Sequence, residues 1–203
     1  CSDNRTYETS LCTMADVSGT YADQKANVVR IIKAGVLTSL LPGDSLIFVT
    51  IDSNSYKEDN FQSRIKLDYI PSRANQQRLA FAQELDAFAS DSQRADYTDI
   101  SGAMMLCADY LRATGSGNQA MLIFSDMKEE LQGGLNRNFS EDQLDGIHVA
   151  AMNVIKLNAD SVDPATYRQR LLDWETRLAG ANAASWHVIV DPIAIPEYIE
   201  ELR

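Results

Sequence analysis

Short apolar runs of strand length alternate with longer segments of helical periodicity along the 203-residue chain. Runs of four to nine mostly apolar residues predict strands, and apolar residues at helical spacing between them predict helices. The predicted strands cover residues 11–15, 45–51, 64–70, 120–124, 148–156 and 185–190. The predicted helices cover 20–41, 72–89, 98–112, 164–179 and 196–202, and residues 140–144 form at most a short helix.

This alternation predicts an α/β fold, a three-layer Rossmann-like sandwich with a mostly parallel central sheet and helices on both faces. The weaker strand at 64–70 follows the strand at 45–51 after a polar loop, so we expect it to be an antiparallel edge strand. No linker, internal repeat or shift in composition divides the chain. We therefore predict a polar N-terminal tether over residues 1–10 and a single domain over residues 11–203.

Composition excludes several classes of protein. Hydrophobic residues make up 45% of the chain and charged residues 23%, which is typical of a globular domain and not of a disordered one. No apolar run approaches the roughly 18–20 residues of a membrane-spanning helix. The 29 acidic and 18 basic residues give a net charge of −11, and no basic run is present. A nucleic-acid-binding protein needs clustered lysine and arginine to meet phosphates, so we expect no nucleic-acid partner.

The three cysteines suggest a location and a redox state. The sequence opens on Cys1, followed by a polar stretch, which is the pattern of a mature bacterial lipoprotein that carries its lipid on that residue. We therefore expect the protein in the bacterial cell envelope, as a periplasmic or outer-membrane lipoprotein, unless the sequence simply begins at an arbitrary cut. Cys12 and Cys107 lie within predicted core elements, so we expect them to be buried free thiols and not a disulfide.

Oxygen-bearing side chains occur at three points where ligands of a parallel sheet normally gather. Asp16, Ser18 and Thr20 follow the first strand, Thr98 lies in the loop before a helix, and Asp126 follows the strand at 120–124. Ligands of such sheets bind at the carboxyl ends of the strands. Taken one at a time, these residues are equally typical of helix caps and of loops that hydrogen-bond to their own backbone.

In this chain order the five residues resemble the metal-ion-dependent adhesion site (MIDAS) of von Willebrand factor type A domains. That site has the form Asp-x-Ser-x-Ser, then a distant Thr and a distant Asp. Asp16, Ser18 and Thr20 match the first motif, with Thr20 in place of its second Ser, Thr98 matches the distant Thr, and Asp126 the distant Asp. The resemblance extends over residues 11–190.

The resemblance implies a non-enzymatic module that binds a protein partner through a metal ion, Mg²⁺ or else Mn²⁺ or Ca²⁺. Hard cations of this kind take oxygen ligands, which hydroxyl and carboxylate groups provide. An ion held by only two carboxylates, Asp16 and Asp126, remains electrophilic and retains an open position. The resemblance therefore implies a partner that supplies a Glu or Asp to that position.

Two alternatives remain open at this stage. The run Asp16-Val17-Ser18-Gly19-Thr20 also resembles the Asp-x-Asp-Gly-Thr signature of haloacid-dehalogenase-like phosphatases, in which the first Asp is a nucleophile and the second an acid. Ser18 stands where that second Asp belongs, which weakens the hypothesis of a metal-dependent hydrolase using Asp16. The other alternative is a scaffold of the same fold without a functional metal. His148 and His187 lie within predicted strands, where we expect core or sheet-face residues and not catalytic bases.

Overall fold

The structure is a computed structural model that describes residues 4–152 and 163–203. Six strands form one sheet in the order β3-β2-β1-β4-β5-β6, in which every neighbouring pair is parallel except the antiparallel pair of β2 and β3. The fold class predicted from the sequence, including the antiparallel edge strand, is confirmed. The strands are β1 Thr9–Asp16, β2 Ser45–Ile51, β3 Phe61–Lys66, β4 Asn118–Phe124, β5 Ile147–Met152 and β6 Ser185–Ile189.

Helices cover both faces of the sheet and enclose two apolar cores. On one face, apolar side chains of α1, α2 and α5 pack against the sheet, and on the other those of α3 and α4 do so. The helices are α1 Lys25–Ile31, α2 Pro71–Ser90, α3 Ile100–Thr114, α4 Pro164–Gly180 and α5 Ile195–Glu201. Within the described residues no helix is both long enough and apolar enough to cross a membrane.

Several elements depart from their predicted bounds. The predicted helix at 20–41 is a succession of a 3₁₀ turn over Gly19–Gln24, α1, a π-helical turn over Ile32–Val36 and a 3₁₀ turn over Leu37–Ser39. Apolar spacing reports which side of a segment is buried, and these irregular turns keep the same side buried. Residues 140–144 form a turn and not a helix. The predicted strand at 148–156 begins at residue 147, and its residues 153–156 lie outside the described residues.

Two strand boundaries lie closer to the N-terminus than predicted. β1 begins at Thr9, so residues 9 and 10 of the predicted tether are part of the sheet, whereas Cys1 lies outside the described residues. β3 ends at Lys66 because the chain turns there towards α2. In that turn the amide of Ile70 donates a hydrogen bond of 2.8 Å to Asp68 Oδ1.

The predicted redox state of the two core cysteines is wrong. Cys12 of β1 and Cys107 of α3 form a disulfide that joins positions 95 residues apart. Both side chains are fully buried and belong to the same apolar core between the sheet and α3. The prediction treated core elements as unsuited to a bridge. A strand and a helix that face each other across one core, with these two Cα atoms 5.9 Å apart, nevertheless bring the sulfurs together.

Candidate metal site

A cleft of about 180 Å³ lies beyond the carboxyl ends of β1 and β4, and four of the five predicted site residues line it. β1 and β4 are adjacent and parallel, so the residues that follow them come to the same edge of the sheet. The side chain of Thr20 lies outside the described residues, although its backbone continues the 3₁₀ turn after Ser18. The lining residues are Asp16, Ser18, Gly19, Tyr21, Asp96, Thr98, Asp126, Lys128 and Glu130.

A chain of hydrogen bonds connects the three loops of the site through Asp16. Thr98 Oγ1 donates to Ser18 Oγ over 2.6 Å, and Ser18 Oγ donates to Asp16 Oδ1 over 2.5 Å. The backbone amide of Ser18 donates to the same carboxylate oxygen over 2.8 Å. On the other side, Ser125 Oγ donates to Asp16 Oδ2 over 2.7 Å. Both oxygens of Asp16 therefore accept hydrogen bonds, and the hydroxyls of Ser18 and Thr98 retain lone pairs.

Burial is the main electrostatic feature of Asp16. Only 2% of the residue is exposed, and this burial raises the pKa of its carboxyl from 3.8 to about 6. Hydrogen bonds from Ser18 and Ser125 stabilise the charged form and oppose the rise, whereas the negative charge of Asp126 adds to it. Within the described residues, the charge of Asp16 is stabilised by hydrogen bonds from Ser18 and Ser125. A bound divalent ion would stabilise that charge further.

Backbone pairing holds Thr98 beside β1 and against the loop after β4. The amide and carbonyl of Thr98 exchange two hydrogen bonds with Glu130, of 2.8 and 3.0 Å. Residue 95, three positions earlier, donates its amide to the carbonyl of Val17 over 3.0 Å. The position of the Thr98 hydroxyl is thus fixed by main-chain contacts on both sides of the cleft.

Asp99, next to Thr98, forms a buried ion pair that organises the surrounding loops. Its carboxylate is fully buried and faces the guanidinium of Arg137, with Arg137 Nη2 2.8 Å from Asp99 Oδ2. The amides of Ser55 and Gly102 also donate to this carboxylate, each over 2.8 Å. Arg137 Nη2 in turn donates to Asn54 Oδ1 over 2.7 Å. One pair therefore connects the loop after β2, the start of α3 and the loop after β4.

Helix α4 holds the segment that carries Asp126. Three of its side chains, one helical turn apart, contact successive parts of that segment. Arg170 Nη1 donates to the carbonyl of Asp126 over 2.7 Å, and Arg177 Nη1 pairs with Glu129 Oε2 at 3.0 Å. Between them, Trp174 Nε1 donates to the carbonyl of residue 127 over 2.8 Å. We call these three side chains, Arg170, Trp174 and Arg177, the α4 latch.

The sequence predicts oxygen-bearing residues that the structure brings to one cleft, but it does not reveal the residues that position them. Ser125 is not among the five predicted site residues, yet its hydroxyl donates a hydrogen bond to Asp16. The Asp99–Arg137 pair and the α4 latch join residues 38 to 48 positions apart, which no local pattern reveals. For Ser125, the available sequence signal was a hydroxyl residue directly before a predicted ligand, Asp126.

The donor set fits a hard divalent cation. Two carboxylates and two hydroxyls of the predicted motif, those of Asp16, Asp126, Ser18 and Thr98, line one cleft, and oxygen is the ligand atom that Mg²⁺, Mn²⁺ and Ca²⁺ take. Tyr21 also lines the cleft, and its hydroxyl is buried and makes no hydrogen bond to the described part of the chain. Across residues 4–152 and 163–203 no three His, Cys, Asp or Glu side chains gather as metal ligands. A metal in this cleft therefore depends on neutral hydroxyls as well as carboxylates.

Comparison with known proteins rests on structure. No family model matches the sequence, and no curated protein matches it with significant similarity. Among solved structures, a von Willebrand factor type A structure from Catenulispora acidiphila aligns with 96% of this chain at 9% identity and a TM-score of 0.54, over 41% of its own length. An aerotolerance-related membrane protein from Bacteroides fragilis aligns with 96% of this chain at 13% identity and a TM-score of 0.54, over 97% of its own length.

A third solved structure is much longer than this chain. The pilus adhesin SpaC from Lactobacillus rhamnosus GG aligns with 96% of this chain at 14% identity and a TM-score of 0.53. This chain spans 29% of that adhesin's length, so the likeness concerns one part of a larger protein. At sequence identities this low, the structural similarity supports the same fold but does not show the same activity. The strand order, the antiparallel edge strand and these superpositions together establish that the chain has the von Willebrand factor type A fold.

Proposed function

We propose that this domain is a metal-dependent protein-binding module of the bacterial cell envelope, and that its partner supplies a Glu or Asp to the metal. The observation that carries the proposal is the hydrogen-bonded series Thr98–Ser18–Asp16–Ser125 in the cleft that Asp126 also lines. The hydroxyls of this series belong to three separate loops and lead to one buried carboxylate, that of Asp16. Helix capping or loop closure alone would not require that convergence.

Ser18 and Thr98 would hold the ion through their hydroxyl lone pairs, and Asp16 and Asp126 would do so directly or through water. Thr20 completes this set on the strength of the sequence motif. The ion would supply a positive, electrophilic centre for a partner carboxylate. Ser125 would orient Asp16, because its hydroxyl bonds to one carboxylate oxygen and leaves the other to Ser18.

The electrostatics of the rim favour recognition through the metal and not through the general surface. The chain carries −11 overall, and the cleft is lined by Asp96 and Glu130 in addition to the two motif carboxylates. Lys128 at the rim is paired with Glu130 at 2.5 Å. An acidic partner group is therefore repelled until a divalent ion is bound, so binding of the partner should depend steeply on the metal.

Two observations support a location outside the cytoplasm. Structural disulfides persist in oxidising compartments such as the periplasm, and the Cys12–Cys107 disulfide is of the buried, structural type. Two of the structural neighbours are described as a membrane protein and a pilus adhesin.

The contacts of Asp16 favour a structural anion over a nucleophile. Each of its oxygens accepts a hydrogen bond from a hydroxyl, and the group is 2% exposed. A hydrolase that used Asp16 would need one oxygen to be free to attack a phosphorus atom. No contact in the described part of the chain favours that alternative.

Isothermal titration calorimetry with Mg²⁺ and Mn²⁺ tests the metal site directly. We expect the wild type to bind one ion and Asp126→Asn to bind it at least about tenfold more weakly, because a charged ligand becomes neutral. Asp96→Asn is the matched control, since it removes the same charge from the same cleft outside the motif. Equal losses in both variants would mean that the cleft attracts cations only through its charge, and absence of binding by the wild type would overturn the proposal.

The partner is tested by capture from envelope extracts with and without EDTA. We expect capture to be lost in EDTA, to return with Mg²⁺ or Mn²⁺, and to fail with Asp126→Asn. Replacing the acidic residue at the contact site of a captured partner by Asn or Gln should abolish binding. A partner whose affinity ignores EDTA would contradict recognition through the metal.

A further inference from the structure

Tyr21 is a buried polar residue of the cleft that the MIDAS motif does not include. It lies in the 3₁₀ turn over Gly19–Gln24, directly after the Asp16–Thr20 motif. Its ring belongs to the apolar core beneath the turn, and the residue is 3% exposed. Its hydroxyl is buried and makes no hydrogen bond to the described residues, although the residue lines the cleft with Asp16, Ser18 and Asp126.

An unsatisfied hydroxyl at such a place needs a physical explanation. Buried polar groups in folded proteins nearly always have a partner, because leaving one without a partner costs free energy. A phenylalanine at position 21 would fill the core without that cost. The hydroxyl also lies in the field of two carboxylates, Asp16 and Asp126. A hydrogen-bonding group in the metal-loaded cleft would give this hydroxyl the partner that the described residues do not provide.

Water bound to a divalent ion is such a group. Mg²⁺ usually keeps several waters of its hydration shell, and their protons need acceptors in the surrounding protein. Mutation of a group that hydrogen-bonds to a metal ligand commonly lowers the metal affinity by about tenfold or more. A phenolic oxygen both accepts and donates, so it suits a position between a bound water and an anion.

We propose that Tyr21 is an outer-sphere positioning residue of the metal site, and that its hydroxyl finds a hydrogen-bond partner in water that accompanies the bound ion. This inference rests on the metal site proposed above and adds a residue to it. It predicts an asymmetry between the two states of the protein. The hydroxyl should contribute to metal binding while contributing nothing to, or reducing, the stability of the metal-free domain.

Tyr21→Phe tests this asymmetry with two readouts. We expect the affinity for Mg²⁺, measured by calorimetry, to fall about tenfold, which corresponds to about 1.4 kcal/mol. We expect the thermal unfolding midpoint of the EDTA-treated protein to be unchanged or higher. Tyr198→Phe is the matched control, because Tyr198 on α5 is another buried tyrosine of the same core and does not line the cleft. Its metal affinity should equal that of the wild type.

The outcomes separate this inference from the proposed function. If the wild type binds Mg²⁺ and Tyr21→Phe binds it equally well, the role of Tyr21 is wrong and the metal site stands. If Tyr21→Phe loses stability in EDTA, the hydroxyl has a structural partner in the metal-free protein and the inference is also overturned. If the wild type binds neither Mg²⁺ nor Mn²⁺, the proposed function itself fails.

Discussion

The indole of Trp174 donates a hydrogen bond of 2.8 Å to the carbonyl of Met127, a buried residue whose φ is 61°. A non-glycine residue in this left-handed region is strained, and such strain persists only where the surroundings impose it. Here the surroundings are the α4 latch above the residue and Ser125 Oγ, which accepts a hydrogen bond of 3.1 Å from the Met127 amide. The strained residue follows Asp126 directly, so the latch holds the backbone that carries that carboxylate.

Trp174→Phe should loosen the position of Asp126 while preserving most of the apolar packing. The lost hydrogen bond leaves the buried Met127 carbonyl without this partner, at a cost of about 1–3 kcal/mol in unfolding free energy. We expect the affinity for Mg²⁺ to fall as well, by about three- to tenfold. Denaturant unfolding and calorimetry measure the two effects. Trp186→Phe on the edge strand β6 is the control, and a metal affinity that falls equally in both variants would contradict the role of the latch.

Asp16→Asn should stabilise the metal-free domain above pH 6. Because the pKa of Asp16 is about 6 in the folded state and 3.8 in the unfolded chain, the folded state binds more protons between these values, and stability falls as pH rises through this window. A shift of about two units corresponds to about 3 kcal/mol at most. Asparagine keeps the acceptor for Ser18 and can donate to Ser125.

Thermal unfolding in EDTA at pH 7.5 and at pH 4 measures this effect. We expect Asp16→Asn to unfold at a higher temperature than the wild type at pH 7.5, and the difference to become small at pH 4, where Asp16 is neutral in the folded state and partly protonated in the unfolded chain. Saturating Mg²⁺ should reverse the order, since it stabilises only the protein that binds it. A variant that is less stable than the wild type in EDTA at pH 7.5 would show that the charged form is favoured by the fold itself.

Thr98→Ala should weaken metal binding, whereas Thr98→Ser should not. The alanine variant loses a hydroxyl that donates to Ser18 and faces the cleft, and we expect the affinity to fall about five- to tenfold, or about 1 kcal/mol. The serine variant keeps the hydroxyl and the backbone pairing with Glu130. Calorimetry compares the two variants directly. Equal affinities would remove Thr98 from the ligand set without changing the fold assignment.

Replacing Cys12 and Cys107 together by serine or alanine should leave the fold intact and reduce its stability. The bridge closes a loop of 95 residues, and loss of a disulfide of this span costs about 2–5 kcal/mol. Peptide mapping of the non-reduced wild type should recover the Cys12–Cys107 pair. Two freely alkylated thiols in the native protein would contradict the bridge.

The sequence predicted the fold class and the candidate ligands because both can be recognised from short runs of residues and their order along the chain. Buried strands such as Ser45–Ile51 are mostly apolar, and chain order places Asp16 and Asp126 directly after two strands of a parallel sheet, although it does not reveal that these strands are neighbours. The remainder depends on contacts between distant residues. The bridge of Cys12 to Cys107 requires knowing that α3 packs over β1, and the latch requires knowing that α4 lies beside the loop after β4.

The covalent bridge also determines how the domain would carry a mechanical load. A pull applied before Cys12 and after Cys107 passes through the disulfide, so the chain between them bears no tension along its backbone. The loop closed by the disulfide, about 310–340 Å long if fully extended, therefore cannot lengthen when the domain is pulled. Asp16, Ser18 and Thr98 lie inside this shielded loop, whereas Asp126 follows it in the load-bearing part. Under force, Asp126 would therefore lie in a segment under tension while Asp16 would not, and the ion proposed for this cleft would be held between the two.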